Sequence, residues 1–265
     1  MHTKNTLLKD IEKAGIKHDG TLIIHSSMKA LGQIEGGAET VLDAFIEYMK
    51  EGLLLFPTHS WSEKNLKDGI YNPKTEPSCV GLLPNLFMKR TGAVRSMHPT
   101  HSVTAMGSRA NEYTMRDDSN ISTPCPRHGC FGGLYDENTQ QLFLGTTFTS
   151  NTFIHAVEEW LDTPNSISAK SKQIKILNQD GSFREVDFYP HHGRISLNYD
   201  KLLKPMLDKG IVRKVKIGDA KSYVAQAKPL ADIVEKMLKE NPQLFDDNKL
   251  LKKCWIKAGK SKFKL

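Results

Sequence analysis

The chain has 265 residues, enough to bury a real core in one large α/β domain or in two small ones. Its formal charge of +7 equals the seven lysines Lys249, Lys252, Lys253, Lys257, Lys260, Lys262 and Lys264, which sit between Asn248 and Leu265 with no acid among them. The remaining body is neutral, so the basic balance describes a tail and excludes a nucleic-acid-binding face as the organising feature; neither a nucleic acid nor a membrane is expected as a partner.

Cys79, Cys125, Cys130 and Cys254 are scattered without a CxxC pair, which fits a reduced, cytoplasmic protein. The first residues lack the apolar stretch of a signal peptide, and no run long enough to cross a membrane occurs.

Leu7, Leu8 and Ile11 at helical spacing predict a helix over 4–14 that Gly15 ends. After the His18-Asp19-Gly20 turn, Thr21–His25 reads as a buried strand, Ala38–Met49 as a helix and Leu53–Phe56 as a second strand stopped by Pro57. Strand, crossover helix and strand make a parallel βαβ unit. Thr58 to Thr75 turns polar and predicts a long loop at a strand's carboxyl end, where such sheets place ligands. A helix follows over Val80–Arg90 and a strand over Ser102–Met106; Arg116 to Arg127 reads as a loop and Gln141–Gly145 as a strand. Asn151 or Thr152 can cap a helix carrying His155, Glu158 and Glu159.

In the last third, Gln173–Leu177 and Arg184–Phe188 flank Asn178-Gln179-Asp180-Gly181, a hairpin signal. Leu197–Lys209 predicts a helix closed by Gly210, and Ile211–Ile217 pairs with Ser222–Ala225 around Gly218-Asp219. Helices over Pro229–Lys239 and Pro242–Lys253 end the chain. The expected architecture is a single domain over 1–265. It has a central mixed, partly parallel sheet with helices on both faces, a small C-terminal α+β portion and a basic tail from about 248 to 265.

His155 and Glu158 are one helical turn apart and share a face. A neutral imidazole takes a proton near pH 7, and a carboxylate beside it orients the ring. Alone, the pair is also what many helix surfaces carry. The turn His25-Ser26-Ser27-Met28-Lys29 offers hydroxyls and free amides to a phosphate, and ordinary turn chemistry accounts for the same composition. Gln33 to Ala38 fits the short Q-x-x-G-x-A pattern of GNAT acetyltransferases, but here the strand ends several residues too early, and the match is read as coincidence. His59, His98, His101 and His128, or Cys125 and Cys130, raise the question of zinc. No HExxH or HxH is present and Pro99 breaks any helix that would align two rings, so no metal is expected and His98 and His101 read as a hydrogen-bonded rim. No G-x-S-x-G elbow or P-loop lysine appears, which points to direct transfer rather than a covalent intermediate.

Taken together, His25–Gly32, Gly36–Val41, Pro57–Ser60, His98–Val103 and Asn151-Thr152-x-x-His155-x-x-Glu158 resemble the aminoglycoside 3-N-acetyltransferase family in order and spacing, over approximately residues 3–245. The resemblance implies an α/β fold unrelated to GNAT and direct acetyl transfer from acetyl-CoA, with no metal, to the 3-amino group of a 2-deoxystreptamine aminoglycoside; an amino sugar or other non-antibiotic amine is the alternative acceptor, and a non-catalytic coenzyme A binder a more distant one. It implies His155 as general base with Glu158 holding its ring, and Ser26, Ser27, Met28, Lys29, Ser102 and Val103 around coenzyme A. Asn151, Thr152, His59 and His101 shape the site, and backbone near Ser27 meets the oxyanion. A polycationic acceptor further asks for carboxylates, with Glu158, Glu159, Asp162, Asp68 and Glu63 as candidates; Glu159 also reads as a solvent-facing helix residue.

Overall fold

A computed structural model describes residues 1–62, 65–66, 68–119, 121–164, 166–192, 195–247 and 249. Ten strands are assigned among them: β1 (Thr21–Ser26), β2 (Leu53–Pro57), β3 (Ile70–Tyr71), β4 (Val94–Arg95), β5 (Val103–Met106), β6 (Gln140–Leu144), β7 (Lys172–Leu177), β8 (Phe183–Phe188), β9 (Val212–Ile217) and β10 (Ala220–Gln226). The helices are α1 (Lys4–Lys13), α2 (Gly37–Tyr48), α3 (Leu82–Phe87), α4 (Ala110–Thr114), α5 (Cys130–Asp136), α6 (Thr152–Trp160), α7 (Leu203–Asp208) and α8 (Ala227–Glu240).

Seven strands form the central sheet in the order β4-β5-β2-β1-β6-β10-β9. β1 runs parallel to β2 and β6, while β5, β10 and β9 pair antiparallel. β1, β2 and β6 are buried along nearly their whole length, because helices cover both faces; such strands read as continuous apolar runs rather than alternating ones. On one face α1, α2 and α3 pack Leu7, Ile11, Phe45 and Phe87 onto Leu22, Ile24, Leu54 and Leu142. On the other, α4 to α8 pack Tyr113, Phe131, Phe153 and Val234 onto Ile23, Leu55 and Phe143.

The C-terminal hairpin β9-β10 extends this sheet rather than standing apart. A second, three-stranded sheet forms instead from β3, β7 and β8, over a small core of Tyr71, Ile121, Ile174, Ile176 and Phe188. β3 lies inside the segment expected to be all loop, and β4 and α4 also went unforeseen. The helix expected over Leu197–Lys209 begins as a 3-10 segment over Ile195–Leu202 before α7 takes over. Of the last expected helix, the residues up to Asp247 form turns, and the remainder apart from Lys249 lies outside the described residues, as does nearly all of the lysine tail.

Candidate active site

The carboxyl ends of β1 and β2, the turn before α6, and β7 and β8 of the small sheet enclose a cavity of about 1100 Å³. That exceeds an ordinary small-ligand pocket and leaves room for two reactants side by side.

α6 carries His155, the base expected from the sequence. Asn151 caps it by accepting from Phe153 N at 3.2 Å, satisfying an amide that the first turn leaves free. One turn in, His155 is largely buried yet lines the cavity. Its Nδ1 lies 2.7 Å from the Tyr199 hydroxyl and 3.4 Å from Glu158 Oε2. The Tyr199 hydroxyl in turn donates to Glu158 Oε2. With its proton committed to the carboxylate, the tyrosine oxygen accepts from Nδ1–H, which leaves Nε2 as the imidazole's lone-pair nitrogen. The pair expected from the i, i+3 spacing is therefore a relay, His155 to Tyr199 to Glu158.

Burial disfavours both charges in this relay. It lowers the His155 pKa to about 4 and raises that of Glu158 to about 7, the latter held back by the Tyr199 hydrogen bond. Tyr199 is pushed well above the ordinary phenol range by burial and by the adjacent carboxylate.

A run of imidazoles forms one wall. His191 stacks on His155 with ring centroids 4.3 Å apart, His101 stands 5.3 Å from His191, and His59 4.7 Å from His101. Burial holds His59, His101 and His191 well below the usual imidazole range, and each would be further disfavoured by charge on its neighbours, so the wall is neutral. His59 Nε2 meets Thr152 Oγ1 at 3.0 Å, joining the β2 end to the α6 start. His98 is a loop anchor: Nδ1 accepts from the amides of His101 at 2.9 Å and Thr100 at 3.3 Å, and Nε2 donates to Thr123 O at 2.9 Å.

The residues expected around coenzyme A divide. Ser26 lines the cavity, and Ser27 follows it into a 3-10 turn over Met28–Leu31, whose opening amides lack intrahelical acceptors. The turn packs tightly against the end of β6: a Cβ on Gly145, at φ +67°, would stand 2.4 Å from Ala30 Cβ and 3.2 Å from Ser27 O. Ser27 N donates to Leu144 O at 2.8 Å, so of the backbone amides near Ser27 its own is spent on the sheet. Ser27, Met28 and Lys29 lie beside the cavity without lining it. Ser102 and Val103 are fully buried. The Ser102 hydroxyl donates to Thr58 O at 2.8 Å and accepts from Arg95 Nε at 2.9 Å, closing the loop over the sheet edge; Thr100 and His101 are the members of that segment on the cavity wall.

The expected carboxylates are elsewhere. Glu158 stands behind Tyr199, and neither Asp68 nor Asp162 lines the cavity. Glu159 is not solvent-facing as read from the helix pattern. It accepts from Thr123 Oγ1 at 2.5 Å and Cys125 N at 2.8 Å, stapling the 121–127 loop to α6, and burial lifts its pKa to about 7. Glu63 lies outside the described residues, as do Gly193 and Arg194. Cys130 opens α5, and its amide donates to Asp117 Oδ1 at 2.9 Å. Donor atoms of Cys125, Glu159 and His191 converge within 4.8 Å, a different grouping from the one the sequence raised.

The family profile described as Aminoglycoside 3-N-acetyltransferase matches residues 23–239, most of the chain and every element of this site. The chain belongs to the aminoglycoside 3-N-acetyltransferase family. Within this family of acyltransferases, aminoglycoside N(3)-acetyltransferase VII of Streptomyces paromomycinus is 24% identical over 87% of this chain and 89% of its own length. The fold is shared with a structure of AAC-IIIb in binary complex with CoASH, at TM-score 0.76 and 18% identity over 90% of this chain and 97% of that one. It is shared also with a histidine-to-alanine mutant of aminoglycoside acetyltransferase AAC(3)-IVa in complex with apramycin, at TM-score 0.76 and 19% identity over 92% of this chain and 94% of that one. Among the described residues no helix is long and apolar enough to cross a membrane.

Two participants escaped the sequence reading. Tyr199 sits in an amphipathic stretch with nothing to mark it, and His191 falls in a His191-His192 doublet with no spacing that links it to His155. Their separation from His155 along the chain removes any local periodicity that would link them.

Proposed function

We propose that this chain is an acetyl-CoA-dependent N-acetyltransferase that passes the acetyl group directly to an amine, with His155 as general base. The observation that supports it most is the His155–Tyr199–Glu158 relay. A base needs one imidazole nitrogen fixed as donor so that the other presents its lone pair, and the 2.7 Å contact to Tyr199 does this on a ring lining the cavity. Tyr199 and Glu158 are positioning residues in this reading.

The amine nitrogen attacks the thioester carbonyl carbon. As the C–N bond forms, His155 Nε2 takes the amine's proton, and as the C–S bond breaks that proton passes to the departing sulfur. Holding both reactants in one cavity replaces a bimolecular encounter, which supplies much of the rate without a covalent intermediate. Ser26 and the open amides of Met28 and Lys29 suit coenzyme A's polar groups, since unpaired amides at the start of a helical turn favour anionic atoms.

Two acceptors follow. The names of the relatives support the 3-amino group of 2-deoxystreptamine antibiotics. An amino sugar is favoured by the cavity itself, where the carboxylates expected for a polycation are missing from the described lining residues. Thiol release from acetyl-CoA, followed with kanamycin and with glucosamine as acceptors, tests the reading. Acceptor-dependent release that survives His155→Ala would sink the assignment of the base.

A further inference from the structure

We infer that the acceptor is an amino sugar bearing phosphate, an anionic scaffold, rather than a polycation; this rests on the acyl-transfer reading above. The described residues lining the cavity include no aspartate or glutamate, and their formally charged member is Lys172. Lys172 and Gln173 line the cavity where β7 begins, both exposed, with the buried Ile174 next to them on the same wall. On β8, Phe188 is the buried partner, while Glu185 and Asp187 alternate onto the opposite, exposed face.

Lys172 has no ion pair among the described residues, whereas Lys175, on the outer face, pairs with Glu185 at 3.2 Å. The nearby acids are committed. Glu159 holds Thr123 and Cys125, and Asp200 accepts from Thr147 Oγ1 at 2.9 Å and Thr149 N at 3.2 Å. In sequence the loop over 58–75 carries Lys64, Lys67 and Lys74 against Glu63 and Asp68, so it adds no net negative charge.

A polycation entering this cavity would lose hydration from several ammonium groups and meet a neutral imidazole wall and a lysine. Charges buried without partners are strongly disfavoured. A phosphate finds the opposite: Lys172 supplies a charge-assisted partner, and a charge of one sign in a cleft also draws in the complementary ligand. Trp61, 56% exposed at the cavity edge, offers a flat apolar face against which a sugar or a nucleobase can lie.

The test compares acetyl transfer to glucosamine 6-phosphate, UDP-glucosamine, glucosamine and kanamycin. The two phosphorylated sugars distinguish a simple sugar phosphate from a nucleotide sugar, and at least one of them should exceed both glucosamine and kanamycin in kcat/KM by about tenfold, which is about 1.4 kcal/mol of differential binding. Lys172→Glu should raise KM for that sugar about tenfold and leave KM for acetyl-CoA in place, as an exposed strand residue whose loss does not disturb the core. Kanamycin as the best acceptor overturns the inference, and so does a Lys172→Glu effect confined to acetyl-CoA, which would assign the lysine to the cofactor's phosphates. Calorimetric binding of the same four compounds to His155→Ala, with and without coenzyme A, needs no turnover. If the phosphorylated sugars bind there more tightly than kanamycin while no variant transfers acetyl, the acceptor class stands and the assignment of chemistry fails; tighter kanamycin binding overturns the acceptor class whatever the chemistry.

Discussion

The two sheets of this molecule divide the labour of the site. The central sheet, with strands buried on both faces, carries β1, β2 and β6 and sets the start of α6 beside their carboxyl ends; it holds the proposed base where close packing keeps the relay in register. The three-stranded sheet of β3, β7 and β8 rests on a handful of buried residues and brings Lys172, Ile174 and Phe188 to the opposite wall. A deep core resists displacement, because each buried side chain touches many others, whereas a small satellite core gives way cheaply. On the proposed function, chemistry sits on the part of the fold that is hard to move, and recognition on the part that is cheaper to displace.

The largest effect should come from the first wall. His155→Ala should lower kcat about 100- to 10,000-fold, the range for losing a general base, with the thermal transition of the protein retained. Steady-state rates beside a melting curve decide it; a loss below tenfold would remove the base from α6.

Core truncations should separate the two sheets. Leu142→Ala, on β6 in the core of the central sheet, should cost about 3–5 kcal/mol, while Ile176→Ala, on β7 in the small sheet's core, should sit near the lower limit of about 2 kcal/mol for such substitutions because its surroundings can collapse. Urea denaturation measures both. Ile176→Ala should also raise the acceptor's KM and spare that of acetyl-CoA; equal costs and equal KM effects would erase the division.

The pH profile probes the relay. Ionised, Glu158 can only accept from Tyr199; once protonated it can donate instead, turning Tyr199 into a donor toward Nδ1 and moving the imidazole proton to Nε2. Because burial raises Glu158 to about 7, kcat/KM should fall about tenfold per unit as pH drops below about 7, well before His155, lowered to about 4, takes a proton. Stability responds to different groups with different signs. The buried histidines His25, His59, His98, His101 and His191 are all depressed by burial, so the unfolded chain binds protons first and stability is lost as pH falls below about 6.5. Glu158 and Glu159, both raised to about 7, oppose this, since their contribution is fully present below the ordinary glutamate pKa and is lost as pH rises through 7. Rates taken from pH 8 to 5, with folding monitored by circular dichroism, keep the two apart; an acid limb centred near 4 would contradict the relay.

The smallest effect should be Tyr199→Phe. It removes the hydroxyl but keeps the ring packed against His155 and Phe245, and Glu158 remains 3.4 Å from Nδ1 as a weaker partner. About a tenfold loss in kcat is expected, on the scale of a single hydrogen bond to a charged group, together with a blunted step near pH 7. An unchanged profile would mean that the tyrosine only packs.

Much of the molecule was legible before folding, for reasons that differ by element. β1, β2 and β6 are runs of apolar, β-branched and aromatic residues with turns at their ends, and the β7-β8 hairpin announces itself through Asn178 to Gly181. α5 was hidden because Gly132 and Gly133 argue against a helix, yet Gly132 is required by what surrounds it: a Cβ there would sit 1.7 Å from Arg127 O, while one on Gly133 would crowd the Tyr113 ring at 3.0 Å. β3 and β4 are two residues each, too short to carry a period.

What the sequence by itself determined is everything encoded within a turn or two of chain: which segments become strands and helices, and that His155 and Glu158 share a helix face. Only the tertiary structure decided that Tyr199 stands between them, that His191 stacks on the imidazole, that Ser102 is spent on Arg95 and Thr58, and that Glu159 is spent on Thr123 and Cys125. Periodicity acts between neighbours, so it reaches i+3 and i+4; the Tyr199 hydroxyl meets His155 across 44 residues, and nothing but the packing of two cores and the register of two sheets sets that distance.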